Sequence, residues 1–220
     1  MSHALAKKME PFDEEMRLVD AHCHIQFDGT FTRLEALLVQ HPEASVGEIG
    51  LDGSRKGAHV AHDIQNEVFV AQLHLAKRMK RPVSVHCVRR YGRVLEGLRK
   101  ANKTHNEGSP VAPWCLLHGY NGPVEMIGQF VRAGAVFSFG LSLTHTPSPK
   151  QIAAVRAVPL NALLLETDSP DNRSCTEPAD MAAVAKCVAE VRDMSESELK
   201  ALVWDTSVTF FGIATEHDEV

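Results

Sequence analysis

What most constrains this chain is an alternation that runs along its length. Short apolar, β-branched runs are each followed by a longer stretch of helical periodicity. The runs RLVDAHC (17–23), SVGEIGL (45–51), PVSVHC (82–87), WCLLHGY (114–120), AVFSFG (135–140) and ALLLETD (162–168) read as six strands. Between them, FTRLEALLVQH (31–41) sets Leu34, Leu37 and Leu38 on one side of a helix. The segment 63–80 carries Ile64, Val68, Ala71, Leu75 and Met79 at intervals of four, three, four and four. Further helices are expected over about 91–103, 123–133, 149–157, 177–193 and 195–211. Strands separated by helices cannot pair as hairpins, so the pattern predicts parallel strands joined by right-handed crossovers, an α/β fold. No low-complexity linker interrupts it. The expectation is a single domain over 17–214, preceded by an extension (1–16) and followed by a tail (215–220), within a length of 220 residues that suits one domain.

The imidazoles and carboxylates fall on this pattern in an ordered way. Of twelve histidines, His22 and His24 lie at the carboxyl end of the first predicted strand, His86 ends the third and His118 ends the fourth. Glu48 lies near the end of the second, and Asp168 ends the last. Carboxyl ends of parallel strands form the ligand face of α/β folds, so these six residues are expected to converge there. His22 and His24 are two apart and leave the same face of the pleat. Each residue alone has a plainer reading. The histidines could be ordinary core or surface residues, Glu48 a paired buried ion, and Asp168 a cap for the following turn. What weighs against those readings is that all six occupy strand ends of one fold. Four imidazoles and two carboxylates suffice for two divalent ions about 3.5–4 Å apart, with one carboxylate bridging.

LVDAHCH, VGEIGLD, PVSVHC, LLHGY and LLLETDSP occur in this order. Together they resemble the TatD family of metal-dependent deoxyribonucleases, within the amidohydrolase-like barrels, and PVSVHCVRRYGRVLEGL is similar to its eukaryotic branch. The resemblance runs from about residue 18 to 212 and implies a TIM-barrel-like metal-dependent hydrolase fold. By motif it implies His22, His24 and Asp168 on a first ion, Glu48 bridging, and His86 and His118 on a second. Asp168 would also orient or deprotonate the attacking water. The implied cofactors are two divalent ions, Mg2+, Mn2+ or Zn2+, and the implied substrate is DNA.

The spacing departs from that family in one place. Glu48 to His86 is 38 residues, His86 to His118 is 32 and His118 to Asp168 is 50, all suited to repeating strand–helix units. His24 to Glu48 is only 24, room for one helix and no strand, where the family has two more strands and a Gly-x-His-Pro segment. About six of eight strands are therefore expected, an incomplete barrel. Asp205 also stands where the family usually has asparagine.

Charge and cysteines narrow the remaining possibilities. A net charge of −5 argues against a nucleic-acid-coating surface, but a nuclease whose ions bring positive charge to the site is compatible with it. Five cysteines without a CxxC pair indicate neither a disulfide framework nor a zinc knuckle, and fit a reducing compartment. With no apolar run near the roughly 18 residues a bilayer span needs, and no signal-like start, the expected location is cytoplasmic or nuclear, without membrane association. Lys77, Arg78, Lys80 and Arg81 look like a nucleic-acid patch, yet cations at a helix carboxyl end are expected from its dipole. Arg89 and Arg90 follow a ligand-bearing strand, where a phosphate would lie, and are the candidate substrate contacts. Trp204, Phe210 and Phe211 are expected to pack the last helix. Two rivals to a deoxyribonuclease stand: a hydrolase of small esters or amides using the same ions, and a non-catalytic adaptor that binds a protein partner.

Overall fold

The computed structural model describes residues 31–105, 113–169 and 178–213. Strands β1 (Val46–Asp52), β2 (Val83–Val88), β3 (Cys115–Leu117), β4 (Ala135–Phe139) and β5 (Leu163–Leu165) form one sheet in that order. Every adjacent pair is parallel. These correspond to five of the six predicted strands; the sixth, 17–23, lies outside the described residues together with the 1–16 extension and the 215–220 tail.

Helix α1 (Phe31–Gln40) precedes β1, and α2 (His62–Met79) and α3 (Tyr91–His105) form the next two crossovers. A 3-10 turn leading into α4 (Ile127–Arg132) joins β3 to β4, and α5 (Ser142–His145) with α6 (Pro149–Ala157) joins β4 to β5. Helices α7 (Met181–Arg192) and α8 (Glu196–Phe211) close the described chain. Each strand pairs with its predecessor in sequence, and repeated right-handed crossovers in one direction put the helices on one side and curl the sheet. That is the winding of a (β/α) barrel rather than of a doubly wound sheet. Among the described residues β1 and β5 are the outer strands, so the described sheet is a barrel sector.

Burial follows from this layering. All residues of β3, β4 and β5 are buried, as expected of parallel strands covered on both faces. Phe69, Leu73 and Ala76 of α2 and Val94, Leu98 and Ala101 of α3 join the strands in one core. Gly97 lets the two helices approach, since a Cβ there would come 2.9 Å from the Phe69 ring. Tyr120 is centred in an aromatic group, edge-on to Phe137 at 4.9 Å between ring centres, and donates its hydroxyl to the Pro123 carbonyl at 2.8 Å.

Helix ends obey local chemistry. Ser148 and Gln151 form a capping box on α6, and Ser195 and Glu198 one on α8. The basic run at the carboxyl end of α2 is structural. Arg78 pairs with Glu35 at 2.8 Å, Arg81 donates to the Leu38 carbonyl at 3.2 Å, and Lys77 lies 3.7 Å over the Trp114 ring. These contacts tie α1 and the start of β3 to α2. Burial lowers the Lys77 ammonium to about 8. Phe210 is buried with Phe211 edge-on against it, as expected of residues that seat the last helix. No described helix is long and apolar enough to cross a membrane.

The β1–β2 pairing sets a sharp steric limit at Gly50, which faces His86 in register. A Cβ on Gly50 would lie 2.0 Å from the His86 carbonyl oxygen, backbone that cannot move without opening the ladder. Gly50→Ala is expected to destabilise the protein by about 3 kcal/mol or more, read as a fall in the urea midpoint. Gly92, exposed in α3 with nothing within 4 Å of an added Cβ, is the control. Gly92→Ala should raise the midpoint, by about 0.4–1 kcal/mol.

Candidate metal centre

A one-residue irregularity in β1 starts the site. Val46 pairs with Val83, but the next pair is Ile49 with Val85, so three residues of β1 span two of β2. Without this bulge, strict alternation would put Val46 and Ile49 on opposite faces. With it, Val46, Ile49 and Leu51 are all buried, and Glu48 is released to turn toward the neighbouring strands. Glu48 thus stands in the first half of β1, not near its end as the sequence pattern had placed it.

The Glu48 carboxylate reaches two histidines. Its Oε1 lies 2.8 Å from His86 Nδ1 and 2.5 Å from His118 Nε2. His86 is the fourth residue of β2, and His118 follows β3 directly. The two rings face each other with centres 5.5 Å apart. Each of the three residues offers a donor atom within 4.8 Å of the others, a grouping that could hold a metal ion. One anionic oxygen set against two imidazoles suits a divalent cation of borderline softness.

Each histidine also has a second carboxylate on its far side. His118 Nδ1 is 3.8 Å from Oε1 of Glu166, and His86 Nε2 is 3.9 Å from Oδ2 of Asp52. Asp52 ends β1 and accepts at Oδ1 from the Ser54 amide at 2.7 Å. Gln65 of α2 secures the loop after it, accepting from the Asp52 amide at 2.9 Å and donating to the Gly57 and Val60 carbonyls.

The charges are set by this alternation of acid and base. Burial by itself would raise the Glu48 carboxyl, but hydrogen bonds from His118 and His86 override it and hold the group well below the usual carboxylate range. Burial by itself would lower His118, whose side chain is 8% exposed; the Glu166 and Glu48 carboxylates on either side push it up to about 10. A positive charge is therefore favoured between these carboxylates, the electrostatic condition a cation would meet there.

The site opens into a cavity of about 230 Å3, lined by His86, His118, Gly119, Gly140, Glu166 and Asp168 among others. Asp168 lies three residues beyond β5 in a left-handed conformation, φ 60°, which Asp tolerates better than most residues. The structure thus places Glu48, His86 and His118 in one cluster and Asp168 on the wall of the same cavity. His22 and His24 lie outside the described residues. Arg89 and Arg90 separate. Arg89 is exposed just past β2 with φ 58°. The Arg90 guanidinium donates to the His62 ring and lines a second cavity with Leu51, Asp63, Gln65, Asn66 and Arg93, at the carboxyl ends of β1 and β2. Two residues the sequence reading passed over are Asp52 and Glu166. The available signal was an acid two residues or more from each motif acid inside an apolar run, GEIGLD and LLLETD.

If the cluster holds an ion, Glu48 is the member that both imidazoles share. Glu48→Gln keeps the shape and removes the charge, and is expected to weaken Zn2+ binding, measured by calorimetric titration, by more than the about 10–100-fold typical of losing an outer-shell partner. Affinity equal to that of the unaltered chain would exclude Glu48 as a ligand.

Comparison with known proteins identifies relatives of this chain. A family model described as TatD related DNase matches residues 21–212. Human deoxyribonuclease TATDN3 is 30% identical over 173 residues, which cover 76% of this chain and 59% of that protein; the corresponding share of the mouse TATDN3 protein is 55%. The chain thus spans little more than half the length of these relatives. The uncharacterized metal-dependent hydrolase YjjV of Escherichia coli is 26% identical over 218 residues, covering 96% of this chain and 80% of YjjV. The crystal structure of YjjV matches with a TM-score of 0.70 over 83% of this chain and 70% of that one. The Cut9-interacting protein scn1 of Schizosaccharomyces pombe is 30% identical over 174 residues, 60% of this chain and 52% of scn1. With the family match reaching from the first histidine motif to the last helix, the chain belongs to the TatD-related DNase family.

Proposed function

We propose that this chain is a divalent-metal-dependent deoxyribonuclease that hydrolyses DNA phosphodiester bonds. The observation that carries the reading is the Glu48 carboxylate set between His86 and His118 at the carboxyl face of a parallel sheet. The deoxyribonuclease name of the human relative and the metal-dependent hydrolase name of YjjV support it.

In this reading six residues hold two ions: His22, His24 and Asp168 one, His86 and His118 the other, with Glu48 shared. Mg2+, Mn2+ and Zn2+ all suit the mixed imidazole and carboxylate donors. Such ions supply positive charge that lowers the pKa of a nearby water and offsets charge growing on phosphoryl oxygens. The protein's own groups do the rest. Asp168, on the cavity wall, accepts the proton of the attacking water as general base. Arg89, exposed just past β2, meets a phosphate, while Arg90 is turned toward His62 and lines the neighbouring cavity. A pocket lined by His86, His118 and Asp168, rather than a groove that embraces a duplex, favours attack from a terminus.

A second reading, a non-catalytic adaptor, is favoured by the short spacing of 24 from His24 to Glu48 and by the Cut9-interacting name of a relative. Hydrolysis of a small ester or amide on the same ions is the enzymatic rival.

Release of nucleotides from end-labelled single-stranded DNA, with added Mg2+, Mn2+ or Zn2+, decides among them. Asp168→Asn and Glu48→Gln should each lower the rate by about 100-fold or more, with chelator abolishing it in the unaltered chain. Equal rates in the variants would assign the signal to contamination. A folded chain that binds ions without turning over DNA, esters or amides would leave the adaptor.

A further inference from the structure

Glu166 follows β5 directly and is 1% exposed. A carboxylate at that depth is costly to desolvate and persists only when its oxygens are matched by donors or positive charge. One oxygen accepts a hydrogen bond and the other faces an imidazole. Ser138 of β4 donates its hydroxyl to Oε2, and Oε1 faces His118 Nδ1 at 3.8 Å. The surrounding backbone is shaped to admit the group. A Cβ on Gly140 would lie 3.1 Å from the Glu166 Cγ, and one on Gly119 would lie 3.3 Å from Oε1. Two glycines, one after β3 and one after β4, therefore flank the carboxylate and leave no side chain between it and the imidazole.

The three strands explain the choice of residue. Glu166 directly follows β5 and His118 directly follows β3, with β4 between those strands. Neighbouring strands lie about 4.8 Å apart, so the acid must reach across nearly 10 Å of sheet, and Ser138 stands on the strand it crosses. On the other side of the ring, Nε2 faces the Glu48 carboxylate that His86 shares. A histidine that offers Nε2 to an ion must carry its proton on Nδ1, and a carboxylate beyond Nδ1 fixes that tautomer and the plane of the ring.

We propose that Glu166, held by Ser138, is a positioning residue that locks His118 as the Nδ1–H tautomer and aims its Nε2 at the ion. This rests on the metal-binding reading above and adds to it the residue that orients one ligand. Asp52 stands in the corresponding place behind His86, but more exposed and turned toward the Ser54 amide.

The test is Mn2+ binding, followed by the loss of the free-ion electron paramagnetic resonance signal, with nitrogen-15 NMR of the His118 ring in the chain loaded with diamagnetic Zn2+. Glu166→Gln should weaken Mn2+ binding by about 10–100-fold, and Ser138→Ala, which leaves the acid in place but unheld, should weaken it less. The Zn2+-loaded unaltered chain should show His118 protonated at Nδ1, and in folded Glu166→Gln that Nδ1 proton should exchange faster with solvent, a change that a purely structural role for Glu166 would not produce. If the unaltered chain binds no Mn2+, the metal-binding reading fails and this one with it. Normal Mn2+ binding by folded Glu166→Gln overturns only the role of Glu166. Should that variant not fold, an Nε2–H tautomer in the ion-loaded unaltered chain, or unchanged binding by Ser138→Ala, overturns it equally.

Discussion

A carboxylate lowered into the end of an apolar sheet has to be met by positive charge or by donors, and the carboxyl face of this sheet is organised around that demand. Glu48 and Glu166 stand on opposite sides of the His118 ring, Glu48 is shared with His86, and His86 faces Asp52 beyond. Acid and base alternate across β1, β2, β3 and β5. The buried end of the row, His118 with Glu166, is where removing one member would leave the other with a charge that the surroundings do not solvate. Positive charge is stabilised where the acids converge, and a proton or a divalent ion can supply it.

The rest of the fold holds these groups at the required separations. Parallel pairing sets neighbouring strands at a constant spacing, and single-direction winding brings every carboxyl end to the same face. The buried strands β3 to β5 and the packed pair α2 and α3 leave little freedom for side chains rooted in them to drift. Glycines appear where atoms must come closest. Gly50 meets the His86 carbonyl, and Gly119 and Gly140 meet Glu166. The cations at the end of α2 serve cohesion rather than binding, because Glu35, the Leu38 carbonyl and the Trp114 ring already engage three of them.

Much of this was legible in the order of residues. The helical stripe over 63–80 corresponds to α2, and the helices expected over 149–157 and 195–211 to α6 and α8, since such patterns depend only on neighbours a few residues apart. The basic run after α2 was readable as helix-end chemistry for the same reason. Glu48 was readable as a charged residue inside a strand, but not its direction. That depends on a bulge defined only by pairing with β2, 37 residues further on from Val46 to Val83. Glu166 escaped notice because LLLETD reads as one strand, in which the acids at 166 and 168 would share a face. The strand stops at Leu165 and the chain turns left-handed at Asp168, so the alternation no longer applies.

By itself, then, the sequence determined the α/β winding, the face on which the histidines and acids gather, and the helix boundaries, all consequences of local periodicity and of steric rules common to L-residues. Only the tertiary structure decided which acid faces which ring nitrogen, that Arg90 turns to His62 while Arg89 stays exposed, and that Ser138 and two glycines make room for Glu166. Those outcomes hang on the register between strands and on contacts between residues tens of positions apart, and a shift of one residue in either strand would reassign them all.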